Sequence, residues 1–139
     1  MDASLRLALL RVIMVADGIV LGLFGLGLIL TPRAMFTLFK LDLPPAAGYI
    51  AGLWGALLLT LAAAYVMAAR QPLRNLVLVQ IGIVRALLET AVSLFYVGSQ
   101  AISLEQAAAG IFLAVWFAIA YILLFPQAMA YPEPPHVQQ

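Results

Sequence analysis

The chain has 139 residues, of which 65% are hydrophobic and 9% are charged, and its mean hydropathy is +1.09. Soluble domains carry about 25% charged residues, so this chain has too few polar side chains to cover a surface that faces water. Its net charge of +1 gives no electrostatic footprint for nucleic acid, and the absence of cysteine excludes disulfides and thiolate metal sites. The composition indicates a single integral membrane domain, residues 1–139, in a lipid bilayer.

Four apolar segments are each long enough to cross a bilayer as a helix, which takes about 20 residues. They cover residues 12–30, 46–69, 75–98 and 104–125, and a polar tail follows at 126–139. The first segment is longer than the apolar core of a signal peptide, about 7–15 residues, so we expect it to remain in the mature protein. The apolar runs do not alternate with polar residues as the strands of a membrane barrel do. The sequence therefore predicts an all-α bundle of four transmembrane helices.

The connector between the first two spans predicts a short helix at the membrane interface. Thr31 is placed to cap this helix, and Pro32 suits its first position, where a missing N–H has no cost. Arg33, Thr37 and Lys40 would share one face toward the headgroups, while apolar side chains would face the acyl chains. An ordinary ordered connector is the alternative, and neither interpretation implies chemistry.

The basic residues predict the orientation of the chain. Four spans place both termini on one side of the membrane, whereas Arg33 and Lys40 lie on the other side. The basic residues on the side of the termini are Arg6, Arg11, Arg70 and Arg74. Because cytoplasmic loops carry an excess of Lys and Arg, we expect an inner (plasma) membrane protein with both termini in the cytoplasm.

Each of the first two spans carries three glycines at positions i, i+4 and i+7. They are Gly18, Gly22 and Gly25 in the first span and Gly48, Gly52 and Gly55 in the second. At about 100° per residue, each set forms one narrow stripe along its helix. Such a stripe lets two helix backbones approach closely in lipid. The spacing predicts tight packing of spans one and two, inside the subunit or against a partner.

Three ionisable residues lie at membrane depth. Arg85 lies about 16 Å beyond Arg74, near the middle of a ~30 Å hydrocarbon layer, and Glu89 is one turn further. A central arginine costs about 2.5–3.5 kcal/mol, so it must face protein or trapped water rather than lipid. Asp17 on the first span differs from Arg85 in depth by about 7 Å, which an arginine side chain can cover. The sequence therefore predicts a buried Asp17–Arg85–Glu89 cluster that joins spans one and three.

This cluster is open to three interpretations. In a structural role, the two carboxylates neutralise one guanidinium and determine which helices meet. In a functional role, the cluster binds a headgroup or small anion, or relays protons. In the third, one member pairs with a charge on a neighbouring subunit. Two carboxylates and one guanidinium give the cluster a net charge of −1, which indicates that one carboxyl is protonated or has another partner.

The order of several features resembles a known type of small membrane protein. The residues that carry the likeness are Pro32 and Phe36 after the first span, the glycines of the second span, Tyr65 with Ala68, Ala69 and Arg70 at its end, and then Pro72. In this order they resemble the uncharacterised BphX-like four-helix membrane proteins. The resemblance spans most of the chain and implies a four-helix bundle. It implies no activity and transfers no functional residues.

The sequence contains no nucleophile–base pair, metal-ligand set or phosphate loop, so we expect neither an enzyme nor a bound metal or cofactor. The single His136 lies in the tail, where it cannot hold a haem inside a span. We expect a non-catalytic accessory or assembly subunit of a larger membrane complex, with other integral membrane subunits as partners. The alternative is a membrane carrier or binding protein for a lipid, quinone or ion that uses the Asp17–Arg85–Glu89 cluster. An enzyme acting on membrane-soluble substrates would require a cofactor in the purified protein.

Overall fold

The computed structural model describes residues 3–126. Over these residues the chain forms α-helices and one short 3₁₀ helix, without β-strands. The helices are α1 (Ala3–Leu30), α2 (Pro32–Leu38), α3 (Ala47–Ala69), the 3₁₀ helix Pro72–Arg74, α4 (Leu76–Gly98) and α5 (Leu104–Leu124). Four of them, α1, α3, α4 and α5, are long and apolar enough to cross a membrane. The prediction of an all-α bundle with four spans and a short helix between the first two is confirmed. The predicted tail, beyond residue 126, lies outside the described residues.

The prolines and one capping motif set the ends of these helices. Within residues 3–126, the prolines lie in the connectors, at first helical positions or after the end of α5, where they break no interior hydrogen bond. α5 begins with a capping box: the backbone N–H of Gln106 donates to Ser103 Oγ at 3.3 Å, and the backbone N–H of Ser103 donates to Gln106 Oε1 at 2.7 Å. Two donors that a helix start leaves free are thereby satisfied, so α5 has a well-defined beginning.

The short helix α2 forms where it was predicted, with Pro32 at its first position. The predicted cap is wrong, however, because the hydroxyl of Thr31 makes no capping bond. Thr31 instead closes the end of α1, where its backbone N–H and its hydroxyl both donate to the carbonyl oxygen of Gly27, at 2.8 and 3.3 Å. Behind α2, the rings of Phe24 and Phe39 stack with centroids 5.9 Å apart and hold the connector against α1.

The connector is also tied to the start of α5. Lys40 forms an ion pair with Glu105, and Gln106 Nε2 donates to the carbonyl oxygen of Lys40 at 2.8 Å. Lys40 has a positive φ of 54°, which turns the chain sharply at this point. The two connectors at this end of the bundle therefore contact each other, which the sequence did not predict.

The four long helices pack as two pairs. α1 packs along α3 and α4 packs along α5, while α1 also contacts α5 and so joins the pairs. α3 and α4 scarcely meet. The largest fully buried side chains are Leu10, Met14, Asp17, Tyr65, Pro72, Val79 and Tyr121. The core therefore lies between the two pairs, on the side where α1 contacts α5, and the bundle is open between α3 and α4.

Close approach of α1 and α3 depends on three of the six predicted glycines. A Cβ added at Gly25 would lie 2.7 Å from the carbonyl oxygen of Gly55, and one added at Gly55 would lie 2.6 Å from that of Gly25. At Gly18, a Cβ would lie 2.9 Å from the Val66 side chain. Gly22 has ordinary contact distance, 3.8 Å to the Ala62 side chain. The backbones of α1 and α3 thus touch where side chains are missing.

Gly48 and Gly52 take no part in close helix packing within residues 3–126, so for these two glycines packing against a partner stays a prediction. A Cβ added at either position would meet nothing within 4 Å. Ala51, Gly55 and Ala62 are buried in the bundle, whereas no described residue packs against Gly48 or Gly52. The regular glycine spacing in α3 does not mark a single contact face.

Candidate functional site

The structure brings Asp17, Arg85 and Glu89 together. Asp17 projects from α1, whereas Arg85 and Glu89 lie one turn apart on α4. Arg85 Nη2 donates to both carboxylate oxygens of Asp17, each at 2.7 Å. Arg85 Nη1 donates to both oxygens of Glu89, at 2.9 and 3.1 Å. One guanidinium therefore bridges two carboxylates and links the α1–α3 pair to the α4–α5 pair.

Asp17 is completely enclosed by this arrangement. Its side chain is 1% exposed, and it accepts a third hydrogen bond, 2.9 Å long, from the hydroxyl of Tyr121 on α5. A buried carboxylate is tolerated only when it is paired and hydrogen-bonded, and three charge-assisted bonds meet that requirement. Asp17 thus has one counter-ion and a full set of donors, all from other helices.

Two tyrosines surround the ion pair, and the sequence predicted for neither of them a contact with the charged cluster. Tyr65 and Tyr121 are fully buried, with ring centroids 6.2 Å apart. The guanidinium carbon of Arg85 lies 5.9 Å from the centroid of the Tyr65 ring, within the range of a cation–π interaction. Tyr65 was noted only for the family resemblance, and Tyr121 lies in an aromatic-rich span where nothing in the sequence distinguishes it from packing residues.

Gly82 provides the space for these rings. A Cβ at Gly82 would lie 2.8 Å from the Tyr121 ring and 3.1 Å from the Tyr65 hydroxyl oxygen. Since Tyr121 is held by Asp17, its ring cannot move aside without loss of that hydrogen bond. Gly82 precedes Arg85 by about one turn, so the same face of α4 carries the space for the tyrosines and the arginine that pairs with Asp17.

Two polar atoms beside the cluster have no hydrogen-bond partner within residues 3–126. They are the Tyr65 hydroxyl oxygen and Arg85 Nε, and both are buried. An unpaired buried polar group carries a cost of about 1–3 kcal/mol. The hydrogen-bonding groups inside the cluster are therefore not all paired, whereas the carboxylate of Asp17 has a full set of donors.

Glu89 has a different environment from Asp17. Its side chain is 45% exposed, compared with 15% for Arg85 and 1% for Asp17. Its hydrogen-bond donor is Arg85, on the same helix, so each carboxylate oxygen keeps an unused lone pair. The predicted cluster is therefore asymmetric, with one enclosed carboxylate and one on an open face of the bundle.

That open face is a groove between α3 and α4 with a volume of about 920 Å³. Its walls are mostly apolar, and Arg85 and Glu89 are the charged residues among those that line it. The other lining residues are Trp54, Leu57, Leu58, Thr60, Leu61 and Ala64 of α3, Val77, Gln80, Ile81, Val84, Leu88, Val92 and Ser93 of α4, and Gly110 of α5. The groove exists because α3 and α4 scarcely meet, which residue periodicity alone does not predict.

The position of Glu89 along α4 places it far from both ends of the span. Leu87 is the middle residue of this 23-residue helix. At 1.5 Å per residue, Glu89 lies about 20 Å from the start of α4 and about 14 Å from its end. A carboxylate at this depth faces hydrocarbon or whatever fills the groove, rather than bulk water.

The described residues contain no group of three or more His, Cys, Asp or Glu side chains that could hold a metal ion. In comparisons with known proteins, no family model, no curated protein and no solved structure matches the chain. The resemblance to BphX-like proteins therefore stays a prediction, and the geometry of the cluster and the groove is the basis for a proposed function.

Proposed function

We propose that this protein is a membrane-embedded binding protein or carrier, which takes a small lipid-soluble molecule into the groove between α3 and α4. The observation that carries the proposal is the half-exposed Glu89 on the wall of an apolar groove of about 920 Å³. Ligand sites are typically apolar clefts of about 300–1,000 Å³ with a few polar groups that orient the ligand. The groove has this character, and Glu89 is one of the few polar residues that line it.

The enclosed part of the cluster supports this role because it holds Glu89 in a fixed position. The Asp17–Arg85 pair, held by Tyr121, keeps the Arg85 side chain in one position. Arg85 in turn holds Glu89 through both of its oxygens. A binding group works best when its own conformation is set by surrounding contacts. In this proposal Asp17 and Arg85 are structural, and Glu89 contacts the ligand.

The first experiment is native mass spectrometry of the protein extracted from its own membranes in mild detergent. We expect the 14.9 kDa subunit, alone or as a homo-oligomer, to carry a small molecule. Leu57→Trp fills the groove and should remove that molecule. Leu123→Trp is the matched control, because it makes the same substitution at a position of nearly equal exposure, 65% against 64%, away from the groove. A small molecule that remains bound to Leu57→Trp would refute the proposal.

The second candidate is the accessory subunit of a membrane complex. The observation that favours it is the open backbone at Gly48 and Gly52, which a helix of another subunit could approach closely. In the same measurement, foreign protein subunits attached to the chain would support this candidate. Gly52→Leu should then release the partner. Gly22→Leu, which the glycine stripe of α1 also suggests, is a less specific test because it would disturb the contact of Gly22 with Ala62 inside the bundle.

A further inference from the structure

The charges that line the groove do not balance. The cluster holds one guanidinium and two carboxylates. Asp17 takes the shorter pair of hydrogen bonds from Arg85, is 1% exposed and gains the Tyr121 hydroxyl, so it is the natural counter-ion of the guanidinium. Glu89 then carries a negative charge without a full counter-charge, and no other basic residue lines the groove among residues 3–126.

The groove presents Glu89 to a ligand more openly than Arg85, since their side chains are 45% and 15% exposed. Arg85 uses Nη1 for Glu89 and Nη2 for Asp17, and its Nε is buried. A ligand that reaches the cluster therefore meets the free lone pairs of Glu89 before the guanidinium N–H groups. This arrangement disfavours an anion such as a phosphate, and it disfavours the anion-binding role considered from the sequence.

The depth of Glu89 excludes a counter-charge from lipid headgroups. The residue lies about 14 Å or more from either end of α4 along the helix axis. A headgroup amine could reach it only by entering the hydrocarbon layer, where an exposed charge costs several kcal/mol. The positive charge that balances Glu89 must therefore belong to a molecule that is itself apolar enough to enter the groove from the lipid.

We infer that the groove binds lipophilic organic cations, with Glu89 as the counter-ion and the apolar walls of α3 and α4 around the body of the ligand. This inference rests on the proposed function and names its ligand class. Trp54, which lines the groove and is 63% exposed, adds an aromatic surface for the cation. The cation neutralises the excess charge of the cluster, and the groove shields the pair from lipid.

The test uses two probes of the same shape and opposite charge, radiolabelled tetraphenylphosphonium and tetraphenylborate, with purified full-length protein in mild detergent and empty micelles as background. We expect saturable binding of tetraphenylphosphonium and none of tetraphenylborate. Glu89→Gln should weaken binding of the cation by about 30-fold or more, because it removes one partner of a desolvated charge pair. Asp42→Asn also removes one formal charge, at an exposed position outside the groove, and should change binding less than about twofold.

Helicity and gel filtration show whether Glu89→Gln is folded. If it is not folded, Leu57→Trp serves instead, since it blocks the groove and leaves Glu89 in place. Absence of tetraphenylphosphonium binding, equal binding of the borate, or full binding by folded Glu89→Gln would each overturn the inference. The proposed function survives that result if Leu57→Trp still removes a co-purified small molecule, so the two failures are distinguishable.

Discussion

The two carboxylates of the cluster should differ sharply in their contribution to stability. Asp17→Asn keeps the size of the side chain and removes the charge that pairs with Arg85. Asp17 is 1% exposed and accepts two bonds of 2.7 Å from Arg85 and one of 2.9 Å from Tyr121. Removing one partner of a buried ion pair costs about 3–5 kcal/mol, because the other charge loses its counter-ion. Since Glu89 still contacts Arg85, we expect the lower end of that range, about 3 kcal/mol.

Glu89→Gln provides the comparison within the same cluster. Glu89 is 45% exposed and pairs with Arg85 four residues earlier on the same helix. Such open pairs contribute about 0.2–1 kcal/mol. The variant also removes the uncompensated charge, which offsets part of that loss. We therefore expect Glu89→Gln to change the free energy of unfolding by less than about 1 kcal/mol.

The measurement is unfolding of the purified variants by sodium dodecyl sulfate in mixed micelles, followed by far-ultraviolet circular dichroism. Asp42→Asn, in an exposed connector, is the control for loss of one negative charge. Equal destabilisation by Asp17→Asn and Glu89→Gln would refute the division between an enclosed and an open carboxylate. The same division would be refuted if Asp17→Asn and Asp42→Asn unfolded at the same concentration of sodium dodecyl sulfate.

Three further predictions concern close contacts and one helix cap, and the same titration checks them. Gly82→Ala should lower the free energy of unfolding by about 1–3 kcal/mol, because the added Cβ would lie 2.8 Å from a buried tyrosine ring. The control Gly110→Ala, whose Cβ would meet nothing within 4 Å, should change it by less than about 1 kcal/mol. Gly25→Ala, whose Cβ would lie 2.7 Å from a carbonyl oxygen of α3, should destabilise more than Gly52→Ala, which meets nothing; equal effects would contradict the packing of α1 on α3. Ser103→Ala should cost about 0.5–2 kcal/mol through the lost capping bond, and no loss would show that α5 starts independently of its cap.

The meeting of Asp17 with Arg85 was predictable because it depends on constant geometry. Helices rise by about 1.5 Å per residue, so positions in parallel spans translate directly into depth. The cost of a charge in hydrocarbon then requires a partner at a similar depth, and Asp17 was the available one on the first span. The helices themselves follow from long, mainly apolar segments separated by connectors that contain prolines or polar residues.

The rest of the site was not predictable because it depends on which helices are neighbours. Tyr121 looks like a packing residue until α5 is known to lie against α1, where its hydroxyl reaches Asp17. The groove arises from the separation of α3 and α4, which no single helix encodes. The glycine spacing of α3 predicted one contact face, whereas only Gly55 of its three glycines closely contacts α1.

The sequence distances within the cluster have a consequence for biosynthesis. Arg85 follows Asp17 by 68 residues, and Tyr121 follows it by 104. In a growing chain that has completed only α1 and α3, the donors that Asp17 has in the finished bundle are still to be synthesised. Asp17 therefore destabilises any truncated or misassembled chain in the membrane and stabilises only the completed one. The same side chain distinguishes finished molecules from unfinished ones, because its charge is compensated only after α4 and α5 have joined the bundle.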